Sequence, residues 1–298
     1  MTGLAAGATY GLVAVGFDFL YRATSALQFA QGDLAGAAVV VALAVTGSTT
    51  SLVNQSSPGL KVVASLLAIV TVTVASTGLG VLVVWRRPRR REGLSWLGIV
   101  VGAALLLGTV VRVAIPEFAY FPELVPGGNA RVVLPFGAGV DRLALWQLAI
   151  GFVIAVTVDQ LLVRTHRGRA LVAVSDNADA ARVVGLPVRE LVLVAFALAG
   201  ALTAAAGLLA ESGSVVGPDT GAVLGVNAIA AVVLARFGGR RRVFATALAL
   251  GIAEAAIVAF HIGGWGPLGV EWRVVLPVLV AIAVMATHPP RFAQDVRE

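Results

Sequence analysis

Nine stretches of this chain are apolar and unbroken over lengths that approach or exceed a bilayer crossing, and that limits the fold more than any other feature. They run roughly 3–21, 34–50, 61–85, 94–115, 143–163, 191–211, 222–235, 243–262 and 273–287. A helix rises 1.5 Å per residue, so crossing a hydrocarbon core of about 30 Å takes about 20 residues. Inside lipid the backbone must satisfy its own polar groups, which leaves helices and closed barrels. A barrel would show alternating segments of about ten residues; these stretches are continuous. The expected fold is therefore an all-α polytopic integral membrane protein of about 8–10 transmembrane or re-entrant helices. Composition agrees, with 58% hydrophobic and only 13% charged residues, where a soluble domain carries about 25% charged. Mean hydropathy is +0.93. The stretch 222–235 is short and must be re-entrant, tilted or extended by the 212–221 loop. No soluble unit interrupts the pattern, so residues 1–298 are expected to form a single transmembrane domain.

Charge sets an orientation. With the N-terminus outside and every stretch crossing, 22–33, 86–93, 164–190, 236–242 and the tail lie inside. All 22 basic residues then fall inside except Lys61, Arg112, Arg131, Arg142 and Arg273, as the positive-inside rule requires. The net charge of +6 thus points to membrane topology, and no nucleic acid partner is expected. Gly3 to Tyr21 lacks a preceding basic region and a following cleavage site, so it reads as a first span rather than a signal peptide. The outer segment 116–142 holds Pro116, Pro122, Pro126 and Pro135 and reads as a loop.

Several chemistries are excluded or disfavoured. Cysteine is absent, so there is no disulfide or thiolate site. His166, His261 and His288 are scattered, and no metal centre is expected. There is no HExxH, no GxSxG and no Walker A loop; the one lysine, Lys61, follows Ser57-Pro58-Gly59-Leu60. An intramembrane enzyme would need a nucleophile–base set that is missing. If ATP drives this protein, another chain hydrolyses it.

One polar island stands between long apolar runs: THRGRALVAVSDNADAARVVGLP, residues 165–187. Asp176 is positioned as an N-cap with Asp179 three residues on, a variant of the capping box. A short helix over Ala178 to Val184 follows, Gly185 suits the left-handed C′ position and Pro187 blocks continuation. Ala180, Ala181, Val183 and Val184 form an apolar side too small for a core. The segment is either a solvated helical loop or a docking element for a cytoplasmic partner.

Polar groups inside the apolar stretches are costly, about 2.5–3.5 kcal/mol for a centred charge, and each needs a reason. Asp18 and Arg22 are four apart and can pair on one face near the inner boundary. Gln28, Gln31 and Asp33 lie among small residues, in either a wet loop or a broken helix lining a cavity. Asn227 and Glu254 sit in late apolar stretches, as structural hydrogen-bonding groups or beside a path. Gly3, Gly7, Gly11 and Gly16 line one side of the first span, a spacing for close helix packing.

Four stretches together resemble the permease subunits of branched-chain amino acid ABC importers, the hydrophobic amino acid uptake family of LivH type. GLAAGATYGLVAVGFDFLYRATSALQFAQGDL (3–34) is similar to the family's glycine-rich first span and its Asn-Phe-Ala-His-Gly-Glu run. WRRPRRR (85–91) resembles its cytoplasmic Tyr-Arg-Pro-x-Arg turn, and RTHRGRALVAVSDNADAARVVGLPVREL (164–191) its ATPase-coupling loop. GVNAIAAVVLARFGG with LALGIAEA, within 225–255, resembles its late re-entrant and span pair. There are departures: the run reads Gln28-Phe29-Ala30-Gln31-Gly32-Asp33, the late turn is Phe237-Gly238-Gly239-Arg240-Arg241-Arg242, and Asp18 is charged within the first span.

The resemblance implies that 165–187 docks on an ATP-binding subunit through Arg167, Gly168, Arg169, Asp176, Asn177, Ala180, Gly185 and Pro187. It implies a translocation path near Tyr10, Asp18, Gln28, Gln31, Asp33, Asn227 and Glu254. The implied partners are a second permease, homologous or identical, two cytoplasmic ATPases using ATP and Mg²⁺, an extracytoplasmic solute-binding protein and the lipid bilayer. No cofactor is expected in this chain. Its place would be the inner membrane, and its cargo branched-chain or other hydrophobic amino acids or related small amides. The alternative is an ion-coupled secondary transporter. Asp18 and Glu254 could serve one, but no inverted repeat is visible and the capped polar helix would lack a partner.

Overall fold

The computed structural model describes residues 2–24, 28–46, 57–85, 95–114, 119–121, 123–124, 130–133 and 139–259, with positions 275, 277, 279, 282 and 283. The helices are α1 (Thr2–Thr24), α2 (Gln31–Thr46), α3 (Pro58–Trp85), α4 (Ser95–Ala114), α5 (Arg142–Arg164), α6 (His166–Asp176), α7 (Ala178–Val183), α8 (Val188–Glu211), α9 (Thr220–Leu234) and α10 (Arg240–Ala259). α1, α3, α5 and α8 are long and apolar enough to span a bilayer. The expected basic turn 86–91 and most of the last apolar stretch, 273–287, lie outside the described residues.

α1 is the central post. It packs on α10, α8, α5 and α9, and its side chains from Leu12 to Leu20 are buried almost without a break. Small residues make this possible. A Cβ on Gly7 would lie 2.7 Å from the Ala247 carbonyl oxygen and 2.8 Å from Leu248 Cα, so α1 and α10 meet backbone to backbone. Gly3 and Gly11 face α10 as well, against Gly251 and Phe244, whereas Gly16 faces Ala199 of α8. The glycine line of α1 therefore serves two neighbours.

One correction concerns the interior. α2 begins at Gln31 rather than at 34, and Gln28 and Gln31 are buried, so this part of the chain is not a wet loop. As expected of the short stretch 222–235, α9 has 15 residues, about 22 Å at the helical rise, and is preceded by residues 212–219, which include a short strand. Four such strands qualify the all-helical expectation: β1 (Ala119–Tyr120) pairs with β4 (Val215–Val216), and β2 (Arg131–Val133) with β3 (Gly139–Asp141), all antiparallel.

The loop contacts sort into two ends as the charge pattern predicts, with one exception: residues 28–33, expected inside, lie among segments expected outside, where Gly32 backs onto the Gly221 carbonyl and Asp33 onto Gly108. Segments expected outside meet one another. Lys61 Nζ donates to the Glu123 carbonyl at 3.0 Å, the Leu124 amide donates to Ser212 Oγ at 2.9 Å, and Arg112 pairs with Asp219 at 2.8 Å. Segments expected inside meet at the other end, where Arg22 pairs with Asp176 at 3.2 Å and donates to the Phe237 carbonyl at 2.6 Å.

Candidate functional site

The polar island folds into two short helices. α6 starts at Thr165, whose hydroxyl accepts from the Gly168 amide at 2.9 Å. Gly168 is buried, and a side chain there would strike the Leu161 carbonyl and Leu162 Cα of α5. α6 turns Gly168, Leu171, Val174 and Ser175 inward onto α1, α5 and α8. Arg167 and Arg169 stay exposed, with Arg169 against His166 Nδ1 at 3.2 Å.

α7 corrects the expected cap. Asn177, not Asp176, is the N-cap: its side-chain oxygen accepts from the Asp179 and Ala180 amides at 3.1 and 2.9 Å. Asn177 has the extended backbone an N-cap needs (φ −156°), whereas Asp176 still belongs to the last turn of α6. The expected C-terminus is found. Gly185 has φ +86°, its amide donates to Arg182, and the Leu186 amide donates to Ala181. That is a Schellman closure, with Pro187 directly before α8. Ala180 is exposed, and Val183 and Val184 are 88% and 81% exposed. α7 thus presents an apolar knob to solvent on a rigid two-helix base.

One arginine adds a set of polar ties between this base and the bundle. Arg22 sits in the last turn of α1, and its Nε lies 3.3 Å from the buried carboxylate of Asp18, the pair expected from spacing. The same guanidinium holds Asp176 at the end of α6 and the Phe237 carbonyl in the α9–α10 turn. In that turn Arg236 and Phe237 take positive φ (53° and 51°), costly for residues with a Cβ. The Phe237 ring lies 4.2 Å from that of Tyr21. Sequence reasoning saw Arg22 only as a local partner of Asp18; nothing in the sequence marks contacts 154 and 215 residues away.

The intramembrane candidates do not gather into one place. Tyr10 and Glu254 line a chamber of about 500 Å³ with Thr9, Gln147, Glu211 and Thr220, at the end of the bundle away from Arg22. Glu211 was missed because it sits where the last turn of a span meets an outer loop and reads as an ordinary boundary charge. Asp33 lines a second cleft of about 490 Å³ with Phe29, Gly108, Arg112 and Asp219. Gln28, Gln31 and Asn227 are buried at 4%, 0% and 0% exposure. Gln31 Oε1 accepts from Thr203 Oγ1 at 2.6 Å. The Gln31 amide nitrogen and both amide atoms of Gln28 and Asn227 have no hydrogen-bond partner among the described residues. Each such group costs about 1–3 kcal/mol unless water or a ligand meets it. Asp18 lies apart, near the C-terminal end of α1.

Near the C-terminal end of α5, Asp159 chelates Arg240 and Arg241, its two oxygens 2.9 Å from one guanidinium nitrogen of each. The basic late turn is thereby clamped to α5. No group of three or more histidine or acidic side chains able to hold a metal occurs among the described residues.

Comparison with known proteins bears on this arrangement. The high-affinity branched-chain amino acid transport system permease protein LivH of Escherichia coli K12 is 26% identical over 306 residues, covering 96% of this chain and 92% of that one. The corresponding protein BraD of Pseudomonas aeruginosa is 25% identical over 262 residues, covering 86% and 84%. Among solved structures, PsaBC from Streptococcus pneumoniae, in complex with Fab, superposes with a TM-score of 0.50 at 12% identity, covering 100% of this chain and 94% of that one. That likeness supports the helical fold alone. Residues 1–285 match the family described as branched-chain amino acid transport system / permease component, and the chain belongs to that family.

Proposed function

We propose that this chain is the membrane subunit of an ATP-driven importer carrying branched-chain or other hydrophobic amino acids or related small amides. It works with a second permease chain, two cytoplasmic ATPases and an extracytoplasmic solute-binding protein. ATP and Mg²⁺ act on the ATPases; this chain contributes no cofactor and no catalytic residue. Residues 1–298 act as one transmembrane domain in the cytoplasmic membrane, with the N-terminus outside and the C-terminus in the cytoplasm.

The observation that carries this reading is the α6–α7 element. Its inner face is packed and its caps are satisfied, yet Val183 and Val184 project into solvent. Exposed apolar side chains on a rigid support mark a surface for another protein. ATPases closing on each other would displace α7 and then α6. Arg22 would pass that displacement to α1 and to the α9–α10 turn, because one guanidinium holds Asp18, Asp176 and the Phe237 carbonyl together.

The test is a co-purification of the tagged full chain in mild detergent, beside the double variant Val183→Asp, Val184→Asp. Both positions are surface-exposed, so the variant should remain folded. A Walker-motif ATPase accompanying the native chain and lost from the variant is the expected result. An intact native chain without an ATPase, with uptake following an ion gradient instead, would overturn the reading.

A further inference from the structure

The cleft between α2, α4 and α9 combines three chemistries on one small surface. Phe29, 44% exposed, and Val101, Ala104 and Leu105 supply an apolar wall. Arg112 supplies a cation, held at 2.8 Å by Asp219. A guanidinium has five donors, so one bond to Asp219 orients it and leaves others for a second carboxylate. Asp33 supplies an anion, and Gly108 keeps the space beside it clear: a Cβ there would come to 3.1 Å from Asp33 Oδ1. The volume, about 490 Å³, lies in the ordinary range of small-molecule sites, roughly 300–1,000 Å³.

We propose that this cleft holds an aliphatic α-amino acid as its zwitterion, with the carboxylate on Arg112, the ammonium on Asp33 and the side chain against Phe29, Val101 and Leu105. The proposal rests on the amino-acid reading above and deepens it, since it gives the permease its own selectivity. The placement of the charges favours this ligand over its halves. Asp33, Asp219 and Arg112 sum to one negative charge, which a zwitterion leaves unchanged, but only the zwitterion sets an ammonium against Asp33 and a carboxylate on the free edge of Arg112 at once. A simple acid would meet the surplus anion, and a simple amine would leave Arg112 without its second partner.

The cleft is also placed to pass a ligand inward. Phe29 and Asp33 alternate along the chain with Gln28 and Gln31; both amide atoms of Gln28 and the amide nitrogen of Gln31 are buried without a partner among the described residues. A phospholipid with an ethanolamine headgroup shares the charges of the ligand but would stay at the surface, and those interior amides give it no role.

The experiment uses the full-length chain in nanodiscs of phosphatidylcholine and phosphatidylglycerol, with labelled L-leucine as probe. Competitors are L-leucine, 3-methylbutylamine and 4-methylpentanoate. Leucine should compete at least tenfold better than either half-molecule. Arg112→Gln should erase the advantage over 3-methylbutylamine alone, Asp33→Asn the advantage over 4-methylpentanoate alone, and Arg112→Lys should restore most of the former. Equal loss for all three competitors in each variant would mean a structural role and overturn the proposal. So would loss of leucine binding in nanodiscs containing phosphatidylethanolamine, which would make the cleft a lipid site. Leucine uptake by the complete importer separates the two readings. Normal uptake with no discrimination in the wild-type chain sinks the cleft and leaves the transport function standing. Neither uptake nor binding sinks both.

Discussion

α1 and α3 are both spanning helices, and the less apolar of the two occupies the centre. The most apolar window of α1 has a mean hydropathy of 1.4 and is 89% buried; that of α3 has 2.3 and is 28% buried. In water this order would be perverse. In a bilayer it follows, because lipid tails are as apolar as leucine and give no hydrophobic drive for one helix to seek another. Close packing decides instead, and it needs small residues. α1 carries glycines that meet α10 and α8 along most of its length; in α3 Gly80 alone of the three glycines packs closely, against the Phe196 ring of α8, while Gly59 and Gly78 have nothing within 4 Å. Val62, Leu66, Val70 and Val74 of α3 are exposed, and its inward contact is a narrow stripe through Ala64, Ala68, Val72 and Ser76. Even there a hydrogen bond helps: Ser76 Oγ donates to the Phe196 carbonyl at 2.8 Å.

The hardest test of this contrast is Gly7→Leu. A Cβ at Gly7 meets backbone atoms of Ala247 and Leu248, which cannot swing aside as a flexible side chain could. Overpacking a core typically costs about 1–3 kcal/mol, and here two backbones must part, so the expected loss is at least about 3 kcal/mol. Thermal unfolding in detergent, followed by fluorescence-detected size exclusion, should show aggregation or a greatly lowered midpoint. A midpoint near that of the native chain would mean that α1 and α10 do not touch as described.

A smaller effect is expected at the C-terminal end of α1, from Arg22→Gln. The Asp18 side chain is 1% exposed and would lose its cation, while Arg22 itself is 28% exposed. Breaking a fully buried pair costs about 3–5 kcal/mol; partial solvent access lowers this to about 2 kcal/mol. The double variant Asp18→Asn, Arg22→Gln should recover part of that stability, because no charge is then stranded. It should not recover the link to Asp176 and Phe237. Stability regained with transport still lost would separate the two duties of this arginine. Full recovery of both would reduce it to a local partner of Asp18.

The same contrast shows what the sequence made legible. The spans were, because continuous apolar length is a one-dimensional property: 143–163 became Arg142–Arg164, and 191–211 became Val188–Glu211. The packing line of α1 was legible from its glycines, though not that Gly16 turns to a different neighbour. α6 escaped notice despite a usable signal. Gly168, Leu171 and Val174 recur every three residues, the spacing of one helix face, but the arginines around them drew attention to charge. The start of α2 was misplaced because hydropathy treats Gln31 as loop, whereas Thr203 on another helix gives its amide oxygen a buried partner. The cap at Asn177 was missed by one residue, since Asp176 and Asn177 are equally good caps until the end of α6 is known. The candidate path was only partly legible. Asp33 was marked by its polarity, but Arg112 of α4 and Asp219 just ahead of α9 line the same cleft from distant parts of the chain, and no local pattern announces that meeting.

The smallest expected effect is the most informative about α3. Gly78→Leu adds a large side chain at mid-helix where nothing stands within 4 Å. Replacing glycine within a helix is favourable by about 0.5–1 kcal/mol on propensity alone, and lipid accepts the new side chain without penalty. The variant should match or slightly exceed the native thermal midpoint, the reverse of Gly7→Leu for the same chemical change. If it unfolds the protein, this face of α3 is packed. If the midpoint holds but the isolated chain no longer pairs with a second permease in cross-linking, the face seen open here is where that subunit sits. In that case α3 is exposed in the single chain and buried in the assembly, and the contrast with α1 marks the order of packing: small residues first within the chain, apolar surface afterwards between chains.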